Sequence, residues 1–440
     1  MWQTIVNAFK IKDVRRKILI TIGLLFVYRI GCYIPVPGVN LMAGMADYSF
    51  LQVMSAVSGG ALQYGTFLAM GIGPYINASI IIQLLSVGIP ALERLSKQGE
   101  EGRKKINAYT RLLTLVLAIV QAIGIIVAFK DQTAVIDGVT VKSIEFGRIF
   151  GEQGFGLVMS YVFLVSVYSA GAAFTMWLGE RITDYGVSNG ISLLIFAGIL
   201  STAGTSILGV MSQLGNSATS SSAAWTLIGF VIASVLIFAA IVTVDSAERK
   251  ITVQYAKQVK GRKMYGGQST HIPIKVNSSG VMPLIFAYAI LSFPDLILNL
   301  IGLDKNNWWS TNVGTGTIPY TVLLCVLILF FAYFYNQIQF NPDDISKSIQ
   351  GNGGFIPGTR PGKPTADYLK RVSNRITLFG AIYLAIVALV PSLIFSFIGG
   401  ESLINVFSAT GLLIVVSVAL EFEQALQSQI MMKNYKGFLK

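Results

Sequence analysis

Ten strongly apolar stretches recur along the chain and are separated by more polar segments. Most are close to the ~20 residues that a helix needs to cross the hydrocarbon core of a membrane. The stretches lie near residues 18–34, 72–92, 112–129, 154–178, 191–211, 223–244, 276–301, 317–335, 376–398 and 402–420. Only two charged side chains, Arg29 and Asp295, fall inside them. The pattern predicts an all-α polytopic membrane protein with ten transmembrane helices, which we number as spans 1 to 10.

Span 2 differs from the other spans in its backbone and in its polarity. Its sequence, GIGPYINASIIIQLLSVGIP, begins with glycine and proline at Gly71, Gly73 and Pro74, and it contains the polar residues Asn77 and Gln83. Irregular backbone at membrane depth is tolerated where it lies in protein or lines a water-filled cavity. We therefore expect span 2 to line a cavity rather than to face only lipid.

The segment just before span 2, residues 49–62, is apolar but too short to cross the membrane. Its periodic part ends at Gly59 and Gly60 and covers about one-third to one-half of the ~20 residues of a span. We expect a short re-entrant helix at about residues 50–60 that caps the cavity lined by span 2.

Composition indicates a membrane protein without a sizeable soluble domain. Of the 440 residues, 53% are hydrophobic and 12% are charged, and the mean hydropathy is +0.64. The two cysteines, Cys32 and Cys325, lie in apolar stretches, and His271 is the only histidine. These residues do not form the clusters that bind zinc, so we predict no metal site and no cofactor.

Basic residues are distributed unevenly between the two sides of the predicted membrane. With the N-terminus inside, the cytoplasmic segments hold 28 of the 33 lysines and arginines, and the outer segments hold four. Cytoplasmic loops of membrane proteins carry an excess of Lys and Arg. The asymmetry predicts that both termini lie in the cytoplasm.

The ten spans divide into two groups of five, in residues 1–215 and 216–440. If the groups are related, an odd number of spans in each requires them to be inverted relative to one another. The second span of each group opens with Gly-x-x-Pro, at 71–74 and 280–283, although two matched residues are compatible with coincidence. Because paired Gly/Pro-interrupted spans are typical of functional sites near the membrane midplane, spans 2 and 7 are the candidate gate.

Two cytoplasmic segments, residues 245–275 and 336–375, are longer than a connection between spans requires. The first is rich in lysine and arginine, and the second contains the turn-forming sequence GNGGFIPGTRPGKP. One hypothesis is that they only fix the orientation of the chain. The other, which their length favours, is that they bind an acidic or phosphate-rich cytosolic partner.

Two other classes of function compete with a pore. Residues 186–190 match the G-x-S-x-G pattern of serine hydrolases, but the only histidine lies in a loop, so a helix cap at Ser188 or Asn189 is the better interpretation. We predict no enzyme activity. A secondary solute or ion transporter with inverted repeats stays an alternative. Coupled transporters usually carry ionisable side chains inside their spans, and here only Arg29 and Asp295 do.

Five motifs resemble those of the SecY/Sec61-type protein-conducting channel, and most closely its bacterial branch. They are GIGPYINASIIIQLL (71–85), WLGERITDYGVSNGISLLIFAGI (177–199), QSTHIPIKVN (268–277), FNPDDI (340–345) and FIPGTRPGKPTADYL (355–369). The similarity extends from Arg15 nearly to the C-terminus. It implies a pore between two five-span halves in the plasma membrane of a bacterium. Such a pore passes unfolded secretory polypeptides and releases membrane segments laterally into lipid.

The resemblance also implies roles for individual residues. The waist of the pore would be a ring of isoleucines, which we call the pore ring, and a plug at residues 50–60 would close its outer side. The pore ring consists of Ile72, Ile76, Ile191, Ile195, Ile285 and Ile414. The plug residues are Phe50, Met54, Ser58, Gly59 and Gly60.

Further implied roles concern the gate and the partners. A lateral gate to lipid would lie between spans 2 and 7, and Asn77 and Phe293 are expected to face it. The two long cytoplasmic segments would bind the SecA motor ATPase or the ribosome through Lys250, Lys257, Arg262 and Arg360. SecE and SecG subunits, signal peptides, translocating polypeptides and membrane lipids are the other partners that the resemblance implies.

Overall fold

The chain is largely helical in a computed structural model. The structure describes residues 2–40, 55, 58–130, 132–136, 139–151, 153–213, 220–255, 258–260, 263–265, 269–277, 280–301, 309, 312–313, 317–398 and 409–437. The longer helices are α1 (Trp2–Lys10), α2 (Lys12–Gly31), α3 (Gly73–Gly88), α4 (Pro90–Lys97), α5 (Glu100–Phe129), α6 (Gly154–Tyr185), α7 (Gly190–Gln213), α8 (Ser220–Asp245), α9 (Met282–Ile301), α10 (Ile318–Gln339), α11 (Pro342–Gly351), α12 (Lys363–Ile398) and α13 (Ala409–Gly437). Each of the ten apolar stretches overlaps one of these helices.

Four helical segments among the described residues are long and apolar enough to cross a membrane. They are Glu100–Phe129, Gly154–Tyr185, Ile318–Gly351 and Lys363–Val390. The pair Gly73–Gly88 and Pro90–Ser96 makes a fifth if it is taken as one span. The protein is therefore a multi-pass membrane protein, and the number of ten spans stays a prediction.

Span 2 is interrupted at both ends, as its glycines and prolines predict. Gly71 has a φ of +52°, a conformation that residues with a Cβ rarely adopt. Pro74 lies in the first turn of α3, where its missing N–H has no partner to lose. After Gly88 the chain bends by 106° into α4, which begins at Pro90. This geometry sets the position of the residues around Ile72, just before α3.

The helices form two bundles, and two of the apolar clusters include residues of both. In the first bundle α3 packs on α5, α5 on α6, and α6 on α7. In the second, α9 packs on α10, α10 on α12, and α12 and α13 on α8. Contacts between the bundles join α5 to α9, and α13 to α7, α2 and α1. The division of the chain into two groups of five spans and the relation of these groups as an inverted repeat stay predictions.

The two long segments that the charge asymmetry predicts to be cytoplasmic, 245–275 and 336–375, fold together into one small unit, which we call the cytoplasmic unit. Strand β3 (Glu248–Tyr255) pairs antiparallel with β6 (Ser269–Lys275), and β7 (Gly354–Phe355) pairs with the end of β3. Between β3 and β6 lies a short hairpin of β4 (Gln258–Lys260) and β5 (Lys263–Tyr265). Alternate residues of β3 point inward, so that Val253 is fully buried among apolar side chains of β6, α11 and α12. The sequence pattern alone predicted two separate loops here.

The other side of the protein carries a second small sheet. Strand β1 (Thr133–Ile136) pairs antiparallel with β2 (Val139–Lys142). Single bridges join Pro35 to Thr66 and Val39 to Ile144. The residues after α2, the segment before α3 and the connection between α5 and α6 are therefore neighbours at this end of the bundle.

Candidate functional site

The six isoleucines of the pore ring lie in one apolar cluster. They come from four separate helices: α3 and the residue just before it, α7, α9 and α13. Ile72, Ile195 and Ile414 are buried, with 3 to 5% of their surface exposed, and the other three are half-buried. The structure thus brings together side chains that are up to 342 residues apart in the sequence, from both bundles.

A cavity of about 590 Å³ adjoins this cluster. Every pore-ring residue except Ile72 lines it. The remaining lining comes from α3, α5, α7 and the residue before α7 in the first bundle, and from α8, α9, α10, α13 and the residues before α9 in the second. We call this space the central cavity, because both bundles form its wall.

The wall of the central cavity is apolar at the pore ring, and elsewhere it contains polar and charged residues among further apolar ones. Its polar and charged residues are Ser79, Gln83, Asn107, Asn189, Ser192, Asp245, Lys275, Asn277, Gln339, Ser417, Glu421 and Gln424. Several of them lie beyond the ends of the apolar stretches, next to the basic strands β3 and β6. The cavity therefore combines a hydrophobic end with a hydrophilic vestibule on the side of the basic segments.

Asp245 is the centre of a hydrogen-bond network in the vestibule. Asn277 Nδ2 donates to Asp245 Oδ1 over 2.9 Å, and Ser417 Oγ donates to Asp245 Oδ2 over 2.5 Å. The carboxylate thus joins the end of α8 to the residues before α9 and to α13. The sequence pattern did not predict this role, although a lone carboxylate directly after an apolar stretch is a visible signal.

Two further charges face the same vestibule. Lys275 Nζ donates to Gln424 Oε1 over 2.8 Å, which connects β6 to α13. Burial raises the pKa of the nearby Glu421 carboxyl, and the Lys275 ammonium partly opposes this. The described residues contain no group of three His, Cys, Asp or Glu side chains that could hold a metal ion. The vestibule is therefore polar but carries no ligand set for a metal among these residues.

The two helices of the predicted gate, α3 and α9, contribute to one apolar cluster. Ile80 of α3 is buried in the same cluster as Leu284 and Ala287 of α9, and α5 packs beside them on α9. Asn77 is half-buried on α3, whereas the side chain of Phe293 lies outside the described residues. Spans 2 and 7 thus share this apolar cluster and the neighbouring helix α5, and the lateral gate and the role of Asn77 and Phe293 stay predictions.

The end of the predicted plug lies next to the pore ring. Phe50 and Met54 lie outside the described residues, and Ser58, Gly59 and Gly60 form a turn rather than helix. Ser58 is buried, and Ala61, just after this turn, belongs to the apolar cluster of the pore ring. The proximity agrees with a plug, but a plug helix over 50–60 is not described.

The predicted partner contacts lie on the cytoplasmic unit where they can be located. Arg360 is exposed on the turn between β7 and α12. Lys250 is exposed on β3, with its Nζ 3.2 Å from Glu248 Oε1. Lys257 and Arg262 lie outside the described residues.

At the G-x-S-x-G pattern, Asn189 Oδ1 accepts the backbone N–H of Ile191 and caps α7, which confirms the helix-cap interpretation.

Comparison with known proteins identifies the family. The SecY family profile matches residues 66–423. Protein translocase subunit SecY of Mycobacterium bovis is 40% identical over an alignment of 460 residues that covers 100% of both chains. The same subunit of Streptomyces coelicolor is 41% identical over 445 residues and 99% of both chains. The chain belongs to the SecY family.

Solved structures of other SecY and Sec61 channels share this fold. One described as the structure of a protein conducting channel has a TM-score of 0.68 at 22% identity, over 94% of this chain and 92% of that one. A SecY studied for the plug domain that stabilises its closed state, and Sec61 in the canine ribosome-channel complex, each give a TM-score of 0.64 at 20% identity, over 94% of this chain and 92% of theirs. SecY-family membership and this likeness establish the channel fold.

Proposed function

We propose that this chain is the pore-forming subunit of a protein translocase in a bacterial plasma membrane. It passes unfolded secretory polypeptides across the membrane and releases membrane segments into lipid. The observation that supports the proposal is the convergence of six isoleucines, from both bundles, in one apolar cluster, five of which line the central cavity. The work of translocation is mechanical conduction, not chemistry on a substrate.

The physical demands on such a pore explain a ring of this composition. A pore for variable polypeptides must admit almost any side chain and still exclude ions, and a fixed ring of carbonyl or charged groups would select by coordination. A narrow aliphatic constriction gates by dewetting, and it offers no hydrogen bond that would hold a passing chain. The polar vestibule can meanwhile solvate the polypeptide before it reaches the ring.

The remaining parts of the proposal extend this mechanism. Ten spans cross the membrane with both termini in the cytoplasm, and residues 50–60 plug the outer side of the closed pore. Spans 2 and 7 separate at a lateral gate. The cytoplasmic unit binds SecA or the ribosome, and SecE and SecG accompany the chain. The structural neighbours include a SecY studied for its plug domain and a Sec61 bound to a ribosome, which supports the plug and the ribosome as a partner.

Photo-cross-linking tests the conduit directly. A photoreactive amino acid at Ile191 or Ile414 should cross-link to a secretory polypeptide stalled in transit, because both side chains line the central cavity. The matched controls are Ile232 on α8 and Ile382 on α12, which are 56% and 45% exposed on the outer surface of the bundle. We expect several-fold less cross-linking there. A secondary transporter would give no polypeptide adduct at either pair of positions, and that result would refute the proposal.

Cysteine labelling tests the orientation. In a chain with Cys32 and Cys325 replaced by alanine, Gly147→Cys should react with a membrane-impermeant thiol reagent from outside intact cells. Gln98→Cys and Asn352→Cys should react only after the membrane is opened. All three positions are exposed in the structure, so accessibility depends on the side of the membrane alone. Labelling of Asn352→Cys in intact cells would overturn the orientation derived from the basic residues.

A further inference from the structure

Arg29 is one of two charged residues in the apolar stretches, and its guanidinium is bound to the chain just before span 2. Its Nη1 donates to the backbone oxygen of Gly59 over 2.8 Å, and its Nη2 donates to the hydroxyl of Tyr33 over 2.8 Å. The guanidinium carbon also lies 4.7 Å from the centre of the Tyr33 ring. An arginine at membrane depth is costly and usually marks a function. Here the partner is the end of the plug.

Two more donors, Tyr28 of α2 and Cys32 directly after it, reach the neighbouring carbonyl. The Tyr28 hydroxyl lies 3.4 Å from the backbone oxygen of Ser58, and Cys32 Sγ lies 3.5 Å from the same oxygen. Both distances are long for strong bonds, whereas the Arg29 contact is short and charge-assisted, which makes it the strongest of the three. We call Tyr28, Arg29 and Cys32 the α2 latch.

The turn that the α2 latch holds is confined on its other sides as well. Gly59 has a φ of +70°, and a Cβ built on it would lie 2.5 Å from Arg29 Nη1 and 3.2 Å from Gly198 Cα of α7. A Cβ built on Gly71 would lie 3.2 Å from Ser58 Cβ. The turn is therefore wedged between α2, α7 and the residue that precedes Ile72 of the pore ring.

We propose that Arg29 is a positioning residue that fixes the end of the plug against the pore ring in the closed state. Opening then requires the Gly59 carbonyl to leave the guanidinium. This inference rests on the proposed function, in which residues 50–60 close the pore. Because the acceptors are backbone oxygens, the α2 latch acts whatever the side chains of the plug are.

The contact between Arg29 and Gly59 favours the bound plug over the released plug by a modest free energy. A hydrogen bond to a charged group contributes modestly in net terms, because water replaces the lost partner when the contact opens. Loss of the Arg29 contact should therefore raise the population of the released plug by roughly tenfold. A latch of this strength yields to an entering polypeptide and still holds the resting channel closed.

The test uses the full chain reconstituted with its co-purifying subunits. Arg29→Met should speed amide hydrogen exchange at Gly60 and Leu62 by roughly tenfold and raise resting ion conductance in planar bilayers by a similar factor. The amides of Gly60 and Leu62 are bound to Ser55 O and Ser58 Oγ, so they report on this turn. Arg29→Lys, which keeps the charge and one donor, should restore part of both properties.

Arg148→Met is the matched control. Arg148 is an exposed arginine of the connection between α5 and α6, and its Nε lies 2.6 Å from Glu145 Oε2. The Arg148→Met replacement should change neither amide hydrogen exchange at Gly60 and Leu62 nor resting ion conductance. If amide hydrogen exchange at Gly60 and Leu62 is unchanged in Arg29→Met, the α2 latch is refuted. If this exchange is faster but the resting ion conductance is unchanged, the role of the α2 latch in closing the pore is refuted. Uniformly faster exchange throughout the chain, equal in Arg29→Met and Arg29→Lys, would assign Arg29 to folding and also overturn the proposal.

A different variant tests the proposed function separately from the α2 latch. Replacement of pore-ring isoleucines by asparagine tests the pore independently of Arg29. If that variant leaks and Arg29→Met stays ion-tight, the pore stands and the latch fails. If amide hydrogen exchange at the turn rises in Arg29→Met while the pore-ring variant stays ion-tight, the contact between Arg29 and Gly59 is supported. The proposal that this contact closes a pore is then refuted.

Discussion

A triple replacement of Ile76, Ile191 and Ile414 by asparagine is expected to turn the resting channel into an ion leak. The three side chains come from α3, α7 and α13, so both bundles contribute to the change. Amide side chains would hold water in a constriction that stays dry when it is aliphatic. Wetting stabilises the open state relative to the closed one. Planar-bilayer conductance should rise by about tenfold or more, since ~1.4 kcal/mol shifts a two-state equilibrium tenfold.

The same variant should relax the need for a strong signal sequence in cells, because less energy is then required to open the pore. Leucine at the same three positions is the matched control, since it keeps the apolar surface and nearly the volume. It should stay ion-tight. If instead these residues are ordinary core isoleucines, asparagine will lower the thermal stability without a leak, because it buries unpaired polar groups. A well-folded asparagine variant as tight as the parent would refute the role of the pore ring.

The apolar pattern predicted where the helices lie, because a membrane span leaves a long and nearly charge-free stretch in the sequence. It also predicted the interrupted start of span 2, since Gly71 and Pro74 each restrict the backbone in a known way. It could not select the pore ring. Ile76 and Ile81 are both apolar positions of α3, and which of them faces the cavity depends on α7, α9 and α13. The resemblance to a family supplied that choice, and its functional role stays a prediction.

Contacts between segments that are distant in the sequence could not be predicted either. Strand β7 has two residues, Gly354 and Phe355, which pair with Tyr255 and Gln254 about a hundred positions earlier. Two residues carry no strand periodicity, so no local signal could join the two cytoplasmic segments into one unit. The contact of Arg29 with Gly59 is similar. The charge was conspicuous in span 1, but its acceptor is a backbone oxygen that no sequence pattern reveals.

The cytoplasmic unit presents Arg360 on a well-supported turn. Thr365 Oγ1 donates to the backbone oxygen of Arg360 over 2.7 Å, and Ser346 Oγ of α11 donates to that of Gly362 over 2.6 Å. The Arg360 side chain is exposed. The turn is thus held by its backbone, and reversing the charge at Arg360 should leave the fold intact.

Arg360→Glu is therefore expected to leave membrane insertion and thermal stability nearly unchanged but to reduce SecA-driven transport into vesicles by tenfold or more. A partner's acidic or phosphate groups would meet a like charge, which costs several kcal/mol in an interface. Binding of the partner to the parent chain should weaken as salt is added, because exposed charges are screened. Lys347→Glu is the matched control, an exposed lysine on the neighbouring helix α11, and it should retain most of the transport. Normal transport by Arg360→Glu would mean that the basic segments serve only to orient the chain in the membrane.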